Sequence, residues 1–203
     1  MEHATARRGP KPNPATRRKL LEAGVQMLHT GGYAATGIQE IVGAAEVPKG
    51  SFYNHFESKE AFGAEVVDAY FGPRADSMRA VFTDSSMAPL DRLVLYFDRR
   101  IAACASAGYA RGCLMGNLSL EVADHSESIR DRLSDNFAVW TAYIEDCIRQ
   151  AQQDGSIKNP MSASLLAQFV LNSWEGALLR MRAEKGPGCL EAFRQIVFQS
   201  ILV

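Results

Sequence analysis

The sequence predicts an all-α protein, with a small N-terminal three-helix unit and a larger helical domain after it. Three observations carry this. Apolar residues recur every three or four positions in nearly every segment, as in Ile129, Leu133, Phe137, Trp140, Ile144 and Ile148, and no useful length of chain alternates with the period of a strand. Proline, glycine, asparagine and serine fall between these segments, where they start and stop helices. Two of the apolar segments are short and separated only by Glu46-Val47-Pro48, which is the layout of two helices joined by a tight turn.

The first helix begins at Asn13-Pro14, with Asn as cap and Pro in the first turn, and buries Leu20, Gly24, Met27 and Leu28 before Gly31-Gly32 ends it. Thr36, with Gln39 three residues on, has the spacing of a capping box and opens the second, whose apolar face is Ile38, Ile41, Val42 and Ala45. Pro48 cannot continue that helix but presets the first turn of a third, from about Lys49 to His55. Ser58 caps a long fourth helix to about Thr83, in which Gly72-Pro73 is expected to make a kink or break. Further helices are expected from Pro89 to about Ala107, from Cys113 to about Val122, from Ser126 to about Asp154, from Ser162 to Glu184 and from Cys189 to Leu202. Each carries an apolar stripe, such as Leu90, Leu93, Val94, Phe97 and Ile101 on the fifth.

At 203 residues and 47% hydrophobic content the chain is able to bury a real core. Its net charge of −1 hides an asymmetry: the first twenty residues hold Arg7, Arg8, Lys11, Arg17, Arg18 and Lys19 against only Glu2. Positive charge concentrated beside two short helices suits a polyanionic partner, since neutralised phosphates supply most of such affinity. No run of 18 apolar residues exists and the N-terminus lacks the apolar core of a secretory signal, so a soluble, cytoplasmic protein without a membrane partner is expected. Cys104, Cys113, Cys147 and Cys189 are widely spaced, with no C-x-x-C pair, and are expected to be reduced thiols; no metal site and no cofactor is indicated. No phosphate loop, nucleophile motif or paired-carboxylate signature points to catalysis.

On the third helix Phe52 and Phe56 lie four apart and face inward, leaving Lys49, Gly50, Ser51, Tyr53 and Asn54 pointing outward or sideways. A recognition helix needs such an inventory: small and polar groups that approach base edges, flanked by donors for phosphate. Lys59, at the start of the fourth helix, opposes the helix dipole there, which suits an end that meets a phosphate.

The run Val47-Pro48-Lys49-Gly50-Ser51-Phe52-Tyr53-Asn54-His55-Phe56-Glu57-Ser58-Lys59-Glu60 resembles the signature of the TetR family of transcriptional regulators, over roughly residues 14 to 62. That resemblance implies a homodimer: a three-helix DNA-binding domain with a helix-turn-helix, and a larger helical ligand-binding and dimerisation domain. The chain would then divide into a basic arm (1–12), a DNA-binding domain (13–57) and an effector and dimerisation domain (58–203). The resemblance places Lys49, Gly50 and Ser51 at base edges of double-stranded operator DNA, with Tyr53 and Lys59 on phosphate. Asn54 and His55 belong to the same face. It has Thr36 capping the second helix and touching the backbone, and Arg7, Arg8 and Lys11 in the minor groove. The two C-terminal helices, with Ser173, Gly176 and Ala177 permitting close approach, would pair across the dimer.

The segment Arg111-Gly112-Cys113-Leu114-Met115-Gly116-Asn117 resembles a Gly-Cys-Leu element of one TetR subgroup, some of whose members sense electrophiles or oxidants through that cysteine. Cys113 stands at a helix start with Arg111 close by, and both features favour thiolate. The competing reading is a buried, inert thiol. The effector, a small molecule or an electrophile, is expected near Cys113, Met115 and Asn117, with Phe97, Tyr109, Phe137, Trp140 and Trp174 lining its pocket; core packing is the alternative for each. Rival functions are a thiol-dependent enzyme using Cys113, and a helical interaction module without effector.

Overall fold

The structure is a computed structural model and describes residues 13–203. It is helical throughout: α1 (Pro14–Gly31), α2 (Ile38–Ala44), α3 (Lys49–Tyr53), α4 (Lys59–Phe82), α5 (Pro89–Ser106), α6 (Leu114–Glu121), α7 (Glu127–Gln153), α8 (Ala163–Glu184) and α9 (Gly188–Ile196). A π-helical turn, Val197–Ile201, follows α9, so the expected last helix is split. The parallel pair α4 and α7 forms the centre, with Glu60 beside Ser126 at one end and Phe71 beside Trp140 further along. The α1–α3 unit packs on one end of α4, α5 lies against α4 and α7, and α8 covers the other side of α7 with α9 beyond it.

Local side-chain bonds cap four of the helix starts. Asn13 accepts from Ala15 N (2.9 Å), Ser58 from Ala61 N (3.0 Å), Ser126 from Ile129 N (3.2 Å) and Ser162 from Leu165 N (3.3 Å), each satisfying an amide the helix cannot. Thr36 corrects the expectation made for it. It is buried at 3% exposure, and its hydroxyl donates back to Gly32 O (2.7 Å) instead of capping α2. The cap is Gly37, whose N–H is held by the Glu40 carboxylate (2.7 Å), so the reciprocal residue is Glu40 and not Gln39. α3 also ends two residues sooner than expected, at Tyr53.

Pro73 lies inside α4 without ending it. Its side of the helix is exposed, and Arg74 folds its guanidinium back to donate to Tyr70 O (2.5 Å), supplying a bond in the turn the proline disturbs. α1 meets α4 at Gly24, where a Cβ would stand 2.4 Å from Phe62 Cζ and 2.8 Å from Val66 Cγ2. Phe62 is wholly buried against Phe52 and Phe56, so it has nowhere to go. Gly24→Ala is therefore expected to lower the unfolding free energy by about 1–2 kcal/mol despite the better helix former, read as a fall in Tm.

Candidate functional site

The three N-terminal helices present α3 on a rigid base. Phe52 and Phe56 are 0% and 2% exposed and pack with Phe62 at ring-centroid distances of 5.2 and 4.9 Å, which anchors α3 from beneath. Above that anchor Lys49, Gly50, Tyr53 and Asn54 are exposed, and Ser51 and His55 are half-buried. Nothing of the protein comes within 4 Å of a Cβ built on Gly50, so internal packing does not require glycine there. Lys49 and Tyr53 make no side-chain hydrogen bond with the described residues, and Tyr53 is 58% exposed with its edge on Phe52.

Two residues expected at the DNA backbone have other partners. Thr36 is inside the fold, as above. Lys59 donates to Tyr33 O (2.7 Å) and lies 4.5 Å from the Tyr33 ring centroid, so its ammonium bridges the start of α4 to the α1–α2 turn. Arg7, Arg8 and Lys11 lie outside the described residues. Arg17 pairs with Glu65 of α4 and stacks over Phe56.

That same α1–α2 turn is gripped from the larger domain. Glu121, the last residue of α6, accepts from Tyr33 N (2.8 Å) and Ala34 N (2.7 Å). The backbone has to bend sharply to offer both amides to one carboxylate, and Gly32 does this at φ +86°; a Cβ there would sit 2.9 Å from Glu121 Oε2. At the other end of α6, Gly112 O bonds His29 Nε2 of α1 (3.1 Å), and burial of that ring lowers its pKa. α6 has eight residues, about 12 Å at 1.5 Å per residue, so this single short rod touches the N-terminal unit at both ends.

Its first turn also borders a cavity of about 520 Å³ between α6, α7 and α8. Of the expected lining residues, Cys113, Asn117 and Phe137 are there. Met115, Phe97 and Trp174 are not: all three are 0% exposed, and Phe97, Trp174 and Phe193 form an aromatic cluster with centroids 5.0 to 5.4 Å apart. They are core, because α8 and α9 both close over α5 at that level. Trp140 lines a separate, much smaller cavity, and Tyr109 lies in the loop before α6 at φ 55°. Asn117 is committed, donating to Arg111 O (2.9 Å) across that loop.

The expected thiolate is also corrected. Cys113 is the N-cap of α6, but it is 6% exposed, and burial with the neighbouring Glu175 pushes its thiol up to about 12. The amides of Met115 and Gly116 at the helix start pull the other way and lose, because the partial charge of a helix end is small beside the cost of a desolvated anion. Arg111 is exposed and does not offset it.

Glu175 was missed from the sequence. Burial raises its carboxyl from 4.5 to about 7, against the opposing pull of the Cys113 thiol and Arg100, and its Oε1 has no protein partner. The other oxygen lies 2.5 Å from where a Cβ on Gly116 would be, so the carboxyl seats only because residue 116 is glycine. One signal was available: Glu175 is the sole ionisable residue between 163 and 179, in an otherwise apolar helix. Among the described residues no group of His, Cys, Asp or Glu is placed to hold a metal ion, and no helix is long and apolar enough to cross a membrane.

Comparison with known proteins agrees with this layout. Residues 20–66 match the model for bacterial regulatory proteins of the tetR family, and residues 89–197 match the model for the tetracyclin repressor-like C-terminal domain. The chain is similar to the HTH-type transcriptional repressor DhaR of Mycobacterium sp. strain GP1, with 40% identity over 92% of each chain. It is 35% identical to the transcriptional regulator AcuR of Cereibacter sphaeroides, over 92% of this chain and 85% of that one. Among solved structures, a regulatory protein TetR from Rhodobacter sphaeroides superposes with a TM-score of 0.84 at 34% identity, covering 91% of this chain and 97% of the other. Reduced NemR of Escherichia coli superposes with a TM-score of 0.84 at 28% identity, covering 90% and 94%. With an exposed recognition helix on an aromatic base, an all-helical larger domain and matches across both parts, the chain belongs to the TetR family of DNA-binding transcriptional regulators.

Proposed function

We propose that the chain is a dimeric repressor released from its operator when the cavity beside Cys113 and Glu175 is occupied, with α6 carrying the change to the DNA-binding helices. One observation carries this reading: α6 borders the cavity with its first turn and holds the α1–α2 turn with Glu121 at its last. A ligand that moves α6 must move that grip. Useful release needs on the order of 1–3 kcal/mol of coupling between the two sites. The protein then acts by occupancy and not by turnover. An electrophile would reach the protonated Cys113 only from inside the cavity, which makes reversible occupancy the primary signal and modification secondary.

Two α3 helices would enter successive major grooves of a palindromic operator, roughly 34 Å apart for half-sites one helical turn from each other. Dimerisation through α8 and α9 is supported by their outer faces, where Leu165, Phe169 and Ile196 are 54%, 45% and 52% exposed around a shallow apolar groove that includes Ser173, Gly176 and Ala177. Exposed apolar residues in such a row favour burial against a second copy.

The test is fluorescence anisotropy on the DNA upstream of the protein's own gene. Lys49→Ala is expected to weaken binding to every sequence and lower the salt slope by about one, whereas Ser51→Ala shifts sequence preference. Absence of binding by the wild type at low salt would remove the repressor reading. In the same assay Lys59→Ala discriminates its two roles: a slope lowered by about one places it on phosphate in the complex, and an unchanged slope leaves it as the brace of Tyr33.

A further inference from the structure

The α1–α3 unit packs closely on the start of α4 at Gly24, Phe62 and Val66, but it meets α6 and α8 thinly. Between α1, α6 and α8 the chain leaves an open groove of about 300 Å³, lined by Leu28, His29, Gly32, Leu120 and Leu179. Leu120 and Leu179 stay 74% and 53% exposed there, so no apolar seal presses α1 onto α6. Hydrogen bonds bridge the gap instead. Glu121 accepts from Tyr33 N (2.8 Å) and Ala34 N (2.7 Å), and His29 Nε2 meets Gly112 O (3.1 Å). From the other side, Lys59 of α4 donates to Tyr33 O (2.7 Å). The bond from Ser126 to Glu60 (2.5 Å) ties α4 to α7 and so holds the helix on which the unit sits, not the unit itself.

This is a pivot with a brace. The contact at Gly24 is apolar and non-directional, so the unit is able to rock about it. The Glu121 grip lies at the far end of α1, about 10 Å from Gly24 at 1.5 Å per residue, and its two charge-assisted bonds are directional. Rocking matters to a dimer because it reads two half-sites at once. One extra base pair between them moves a half-site by about 3.4 Å along the duplex and turns it by about 34°. Each α3 follows only if its unit tilts. We infer, on the dimeric reading proposed above, that Glu121 determines which half-site spacing the protein accepts, without touching DNA. The wild type has to break the grip to reach a mis-spaced site, which adds that loss to the cost of binding there. A variant without the grip has already lost it, so its discrimination between spacings is smaller.

The full-length wild type first selects its site from a random DNA library, which defines the half-sites and their separation. Fluorescence anisotropy then compares that duplex with two others, in which one base pair is inserted or removed at the centre. The wild type is expected to bind the shifted duplexes on the order of a hundredfold more weakly. Glu121→Gln keeps the shape of the side chain but turns an NH2 toward one of the two amides, and is expected to cut that ratio to about tenfold. Lys49→Ala should weaken binding to all three duplexes alike and leave the ratio unchanged, which separates a DNA contact from a positioning residue. Hydrogen exchange in the free protein reads the grip itself: the Tyr33 and Ala34 amides should be protected in the wild type and exchange faster in Glu121→Gln. An unchanged spacing ratio in Glu121→Gln overturns the inference and leaves the dimeric reading intact, whereas a wild type indifferent to spacing removes both. Tyr33 and Ala34 amides that exchange in the wild type at the rate of an unfolded chain overturn it even if the variant fails to fold.

Discussion

Cys113 is expected to be the last of the half-buried and cavity-facing thiols to react when the native protein is treated with iodoacetamide at about pH 8. The nucleophile is the thiolate. Moving a thiol from its ordinary 9 to about 12 lowers the thiolate fraction about a thousandfold, before access is considered. Cys113 is also only 6% exposed, whereas Cys189 and Cys104 are half-buried at the surface of α9 and α5. Peptide mapping by mass spectrometry over time should find Cys104 labelled while Cys113 is intact. Early and preferential labelling of Cys113 would mean that the thiol is ionised in solution and that burial and Glu175 do not control it. An agent shaped to occupy the 520 Å³ cavity has a different outcome, because it arrives beside the sulfur without opening the fold. The distinction separates a sensor that responds to any electrophile from one that first selects by shape.

Glu175→Gln is expected to stabilise the protein at pH 8 and to have no effect near pH 4. A buried carboxyl raised to about 7 from an ordinary 4.5 holds its proton more tightly in the folded state than in the unfolded state. Below 4.5 both states are protonated, and the group contributes no pH dependence. As pH rises from 4.5 to 7 the unfolded chain releases its proton first, so stability falls. Above 7 the folded state carries a buried anion at a cost on the order of 3 kcal/mol. Glutamine removes that penalty and nearly preserves shape, so the Tm gap between variant and wild type should open through this window and flatten above it. For a chain of this size the gap amounts to about 6–12 °C, measured at one protein concentration because dimerisation also contributes. A constant gap at every pH would show that the carboxyl does not titrate between these limits. The same substitution should moderately raise Cys113 reactivity by removing an acidic neighbour, but burial, the larger cause, stays in place.

The helical frame was legible because its signals are local. The starts of α1, α4, α7 and α8 were readable at Asn13, Ser58, Ser126 and Ser162, since a cap is a bond between residues two or three apart. The recognition helix was readable for the same reason: Pro48 starts it, and Phe52 and Phe56 are one turn apart on a single face. Where one local signal competed with another, the sequence reading failed. Thr36 had the right spacing for a cap, but its hydroxyl found Gly32 O in the preceding turn. The break expected at Pro73 is absent, and α4 continues through it to Phe82.

Protonation and cavity shape were beyond a linear reading. Cys113 had a helix start and a nearby arginine, both arguing for thiolate, but α8 brings Glu175 and an apolar covering from sixty-two residues away, and desolvation exceeds the helix-end effect. Phe97 and Trp174 looked like pocket residues and became core, because only the approach of α9 decides which aromatic faces a space and which faces another ring. Arg74 and Arg100 are twenty-six residues apart and meet only through the crossing of α4 and α5. By itself, then, the sequence determined the helical frame, the inward and outward faces of the third helix and the family, which depend on neighbours along the chain. Tertiary structure alone decided that the Cys113 thiol stays protonated, where the cavities lie and how α6 ties them to the α1–α2 turn, because each depends on desolvation and contact between segments remote in sequence.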